Sequence, residues 1–268
     1  MTEPTTEDLT ISGPHGSIPA RRYLPSDRAP KAELVWLHGG GFIGGDLDMP
    51  EADWVARSLA VKDIAVLSVD YRKAVDGVHF PVPSDDVLAA WQWAVANRYP
   101  AVPIHFGGAS AGANLAAGVA KRIRDGGGLM PSSLVLVYPD LHAELPAITD
   151  ELRAATERVG GFVLSPELVG TLGLNYAGSE AALADPYAFP ANGDVSGLPP
   201  TYILNSEGDF LRASGEVFAA KLGEAGVDVE VEMEPDAAHG HLNEPDQPEA
   251  TRSIDRLAGW LLTRSRPL

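Results

Sequence analysis

Gly108-Ala109-Ser110-Ala111-Gly112 fits G-x-S-x-G, a serine framed by residues with almost no side chain. A serine hydroxyl is a weak nucleophile until a neighbouring base takes its proton, and that base needs a carboxylate to orient it. A turn sharp enough to present the hydroxyl tolerates only small neighbours. Gly107, Gly108, Ala109, Ala111 and Gly112 meet that demand, although a glycine-rich strand–helix turn without catalysis gives the same letters. A second stretch, His38-Gly39-Gly40-Gly41-Phe42, lets backbone N–H groups approach a developing oxyanion unobstructed. The competing reading, a phosphate loop, is weakened because neither G-x-x-x-x-G-K-[ST] nor G-x-G-x-x-G opening a helix is present.

His142, His239 and His241 are the histidines that follow Ser110. His142 precedes any plausible acid. His239 and His241 share a polar loop after the last strand signal, and Gly240 beside His239 permits a tight turn, which favours His239. A surface or supporting place is the expectation for His241. For the acid, Asp209 closes the strand signal Tyr202-Ile203-Leu204-Asn205, with Glu207 and Asp140 as rivals. The order serine, acid, histidine is that of a nucleophile elbow on an α/β sheet.

Such residues need a scaffold that holds them at one edge of a sheet. Apolar runs and helical periods alternate along the chain, which predicts an α/β fold with a doubly wound, mostly parallel sheet of about eight strands. Strands are expected at 9–11, 18–23, 34–37, 64–69, 104–108, 134–138, 201–204 and 227–231, the last an edge strand. Helices are expected at 52–62, 84–97 (capped by Ser84), 111–124, 213–225 and 248–263. Residues 141–197 break the alternation with two helical stretches, about 146–158 and 165–175. An excursion of that length predicts a lid on one domain spanning 1–268. Its apolar residues, among them Val159, Phe162, Leu164, Leu168, Leu172, Leu174 and Tyr176, are candidates for lining an acyl pocket.

Composition narrows the remaining choices. The 268 residues are 45% hydrophobic and 21% charged, an ordinary globular profile. With no cysteine there is no disulfide, no thiolate metal site and no thiol rival to Ser110. A net charge of −17 repels nucleic-acid phosphates and anionic lipids, so neither nucleic acid nor membrane is an expected partner. The acidic N-terminus lacks signal-peptide features, which gives a cytoplasmic expectation. No metal or cofactor is expected.

The sequence resembles the hormone-sensitive-lipase-like group of α/β-hydrolases, which includes many microbial carboxylesterases. The resemblance rests on His38–Phe42 with Gly45-Asp46, Asp70-Tyr71-Arg72, Gly108–Gly112 with Ala113-Asn114-Leu115, Asp185-Pro186-Tyr187, Gly197-Leu198-Pro199-Pro200, Glu207–Arg212, and His239-Gly240. It implies a triad of Ser110, Asp209 and His239. It also implies an oxyanion hole from the N–H groups of Gly40, Gly41 and Ala111. It further implies a helical cap from 141–197 with a short contribution from 1–32. The chain departs from the family pattern at Ala109, at Ala213 and at Lys73-Ala74-Val75-Asp76. The expected activity is cleavage of small carboxylic esters of short to medium acyl chain through an acyl-enzyme. An amidase, lactonase or deacetylase would use the same groups, and a non-catalytic receptor on the same scaffold would be expected to lack one of them.

Overall fold

A computed structural model describes residues 3–264, so the ends of the expected 1–268 domain and the first two residues of the 1–32 segment lie outside it. Eight strands form one sheet: β1 (Thr5–Gly13), β2 (Gly16–Leu24), β3 (Ala32–Leu37), β4 (Ile64–Val69), β5 (Ile104–Ala109), β6 (Leu134–Val137), β7 (Thr201–Gly208) and β8 (Val229–Ala238). Their order is β1-β2-β4-β3-β5-β6-β7-β8. The β1–β2 hairpin is antiparallel and joins β4 antiparallel, while every pairing from β4 through β8 is parallel. The expected mostly parallel sheet is therefore found, with β8 at its edge.

Among the described residues seven α-helices surround or leave it: α1 (Asp53–Val61), α2 (Val82–Asn97), α3 (Ala111–Asp125), α4 (Asp150–Val159), α5 (Pro166–Ala177), α6 (Arg212–Glu224) and α7 (Pro248–Thr263). The strands β3, β4, β5 and β6 are buried at every position, so both faces of the sheet are covered, because successive side chains point to opposite sides. Leu34 and Trp36 of β3 pack with Val55 and Leu59 of α1 and Leu257 and Leu261 of α7. Val35 and Leu37 pack on the other face with Val87 and Trp91 of α2 and Leu115 and Val119 of α3. Each such side chain removed from water contributes about 1.5–3 kcal/mol before entropy is deducted.

Two local expectations need correction. Ser84 does not cap α2; the helix begins at Val82, with prolines in its first turn where a missing N–H is harmless. The Ser84 hydroxyl instead accepts from Arg122 at 2.7 Å. The first helix of the excursion starts at Asp150 rather than near 146, because Thr149 accepts the Leu152 N–H and sets the boundary. No helix among the described residues is long and apolar enough to cross a membrane.

Candidate active site

Ser110 sits between β5 and α3 with φ 52° and ψ −120°. A non-glycine residue at positive φ is strained, and such strain persists only where the surroundings enforce it. The surroundings here are backbone. A Cβ on Gly112 would lie 2.3 Å from the Leu37 carbonyl oxygen, and one on Gly108 would lie 2.6 Å from that same oxygen. Gly108 and Gly112 are thus imposed by the close passage of the β3 end, and Gly107 by the Val135 carbonyl of β6, 2.3 Å from where its Cβ would lie. The Ser110 N–H donates to the Val137 carbonyl at 2.9 Å, tying the turn to β6.

The parallel strands end together, and the chemistry gathers at that edge. The Ser110 Oγ and the His239 Nε2 are 3.1 Å apart. The His239 Nδ1 lies 2.6 Å from the Asp209 Oδ2. Asp209 follows β7 and is 1% exposed; its Oδ1 accepts the Leu211 N–H at 3.0 Å. Burial pulls the His239 imidazolium down, but the Asp209 charge and hydrogen bond, with the Glu51 and Asp140 charges behind them, together outweigh it, so the ring is held above its ordinary pKa.

The rivals lie elsewhere or play other parts. The His142 Nδ1 meets the Ser214 Oγ at 2.8 Å. His241 is buried, not superficial: its ring bridges Ser206 at 2.9 Å and Ser253 at 2.7 Å. Glu207 accepts the Asp236 N–H and pairs with Arg158. Asp140 comes closest to the role, buried beside the triad with its Oδ1 lacking a hydrogen-bond partner. Burial pushes its carboxyl up to about 7, with the His239 charge opposing and the Asp209 charge adding.

The loop His38–Phe42 follows β3. Gly40 has φ 114° and Gly41 φ 59°. A Cβ on Gly40 would strike the Gly44 carbonyl at 2.3 Å, and one on Gly41 would reach Leu172 at 3.0 Å. The Tyr71 hydroxyl donates to the His38 carbonyl at 2.8 Å and holds the loop from beneath. Ala111 is the first residue of α3, so its N–H has no acceptor one turn back. Gly40, Gly41 and Ser110 face one cavity of about 460 Å³.

Apolar walls of that cavity come from Ile43 and Met49 and, across it, from Phe162, Leu164, Leu168 and Leu172 of the excursion between β6 and β7. Other apolar residues of the excursion do not line it. Tyr176 stacks on Phe42 at 4.1 Å, Val159 packs on Gly208, and Leu174 is exposed. Glu51, Asn243 and Glu244 also reach the cavity and were not singled out from sequence. Glu51 follows a proline in an acidic surface-like stretch, and no spacing marks it as buried.

Comparison with known proteins identifies the fold and its relatives. A family model described as alpha/beta hydrolase fold matches residues 34–243. The chain is 36% identical over 253 residues to carboxylic ester hydrolase LipN of Mycobacterium tuberculosis, covering 88% of this chain and 64% of that protein. It thus spans somewhat under two thirds of that relative's length. It is similar to an esterase structure from Pyrobaculum calidifontis, with TM-score 0.86, 32% identity, and coverage of 97% of this chain and 85% of the other. An esterase of the bacterial hormone-sensitive lipase family superposes with TM-score 0.85 at 25% identity, covering 99% of this chain and 86% of that one.

Proposed function

This chain belongs to the α/β-hydrolase fold family, in its hormone-sensitive-lipase-like group, and from that membership we propose that it hydrolyses small carboxylic esters through an acyl-enzyme. One observation carries the reading: Ser110, His239 and Asp209 form a continuous hydrogen-bonded chain that opens into an apolar cavity. In this reading the His239 Nε2 takes the Ser110 proton as the Oγ attacks the ester carbonyl. Asp209, held by its own backbone N–H donor, keeps the imidazole Nδ1 protonated and steadies the imidazolium. The N–H groups of Gly40, Gly41 and Ala111 receive the oxyanion, each such donor lowering the barrier by about 2.7–4 kcal/mol. His239 then passes its proton to the leaving alkoxide, and water repeats the sequence on the acyl-enzyme.

A cavity of about 460 Å³ suits short to medium acyl chains. Residues 141–197 act as the lid of the one domain, since they supply the distal wall of that cavity. The test is Ser110→Ala assayed on a chain-length series of nitrophenyl esters beside matched anilides and lactones. Loss of turnover in a folded variant supports the reading. Undiminished ester turnover, or preference for the anilide over its ester, sinks it.

A further inference from the structure

Glu51 is 2% exposed, in the loop that precedes α1. A carboxylate so far from water needs hydrogen-bond donors around it, and these come from three separate loops. Its Oε2 accepts the Gly39 N–H of the glycine loop. Its Oε1 accepts the Tyr138 hydroxyl at 2.5 Å and the Asn243 Nδ2 at 3.3 Å. Its own N–H donates back to the Asn243 Oδ1 at 3.2 Å, and its carbonyl accepts the Trp36 indole at 2.8 Å. Tyr138 follows β6 and sets its ring edge-on to His239, with centroids 5.0 Å apart. Asn243 lies on the loop that carries His239. A Cβ at Gly39 would lie 2.7 Å from the Glu51 Oε2 and 3.1 Å from the Ser110 Cβ, so the carboxylate sits just behind the reacting groups.

We propose that Glu51 is a positioning residue that locks the oxyanion loop to the His239 loop and holds a negative charge behind the imidazolium formed as Ser110 attacks. The proposal rests on the catalytic reading above. Glu51 takes no part in the proton transfers of that reading and acts through Gly39, Tyr138, Asn243 and His239. The charged and titratable groups around His239 are Asp209 after β7, Asp140 and Tyr138 after β6, Glu51 before α1, and His241 and Glu244 on its own loop. Burial works against the imidazolium; Asp209 first, then Glu51 and Asp140, work for it. Burial and then the Glu51 charge hold the Tyr138 phenol well above its ordinary pKa, so it stays a donor to the carboxylate.

Glu51→Gln keeps the shape and an acceptor for Gly39 while removing the charge. Glu51→Asp keeps the charge and shortens the reach. The His239 ring is titrated by NMR in both, with its signal identified by loss in His239→Asn, and ester kinetics are run alongside. In E51Q the His239 titration is expected to move to lower pH, with kcat falling about tenfold or more and KM within about twofold. E51D is expected to titrate near wild type while losing kcat. An unmoved His239 titration in folded E51Q overturns the proposal whatever kcat does. Full kcat in E51D overturns the positioning role even if E51Q does not fold. The titration needs no turnover, so persistent activity in Ser110→Ala would remove the catalytic reading and leave this comparison standing.

Discussion

The Phe162 ring stands 6.2 Å from the His239 imidazole, tilted by 48°, while remaining 61% exposed. It follows Gly160 and Gly161, both at positive φ, and a Cβ on Gly161 would lie 2.9 Å from the Ala238 Cβ. A bulky apolar ring is thus held over the base without being part of the core.

Because Phe162 contributes surface to substrate rather than to folding, Phe162→Ala should leave the thermal midpoint nearly unchanged, within about 0.5 kcal/mol of stability. For esters large enough to reach it, KM should rise about three- to tenfold, with kcat little altered. Steady-state kinetics on acetate and hexanoate esters check this. An equal effect on kcat for both would place Phe162 in the chemistry instead.

Ser110 holds φ 52° where glycine would be at ease. Relief of that strain is worth about 1–3 kcal/mol, and glycine's extra unfolded-state freedom takes back about 0.5–1 kcal/mol. Ser110→Gly should therefore be more stable than Ser110→Ala by about 1 kcal/mol. Both lack the nucleophile, so calorimetry on the pair separates backbone strain from activity.

His239 must be neutral to accept a proton, and Asp209 first, with Glu51 and Asp140, holds it above the ordinary 6.5 against burial. Ester kcat/KM should therefore rise with pH through a midpoint above that value. Asp209→Asn should move the midpoint down and lower the plateau by about three to four orders of magnitude. A pH–rate profile with its rising limb below 6 in the wild type would contradict the argument.

Asp140 has a carboxyl raised by burial from 3.8 to about 7. The folded state therefore holds a proton that the unfolded chain releases. The stability this gives is fully present below pH 3.8 and is lost as pH rises through about 7. Asp140→Asn keeps the neutral shape, so its stability relative to wild type should improve between pH 5 and 8. Urea melts at several pH values read the trend, and a constant difference across that range would refute it.

Sequence carried the sheet well because β3, β4, β5 and β6 are short runs buried on both faces, a pattern set by packing alone. Ser110 was legible because the steric demand of its turn is written in neighbouring residues. His239 and Asp209 were legible from order and loop chemistry. Glu51 was not, since its burial arises from Gly39, Tyr138 and Asn243, which lie far apart along the chain and meet only in the folded molecule. For His241 the loop left a surface or a supporting place open, and the two distant serines that enclose it exclude the surface. Ser84 misled because the prolines beside it, not a hydroxyl, set the helix start.

The excursion leaves the sheet after β6 and returns to β7, and those two strands are hydrogen-bonded neighbours with Val137 opposite Leu204. Its entry and exit are therefore side by side, while Ser110 comes before it and Asp209 and His239 come after. A foreign helical segment could be spliced between these strands if it kept the contacts that Tyr176 makes with Phe42, Leu172 with Gly41 and Val159 with Gly208. Grafting residues 141–197 from a relative is expected to shift substrate preference to the extent that Phe162, Leu164, Leu168 and Leu172 set the cavity, with Ile43 and Met49 left unchanged.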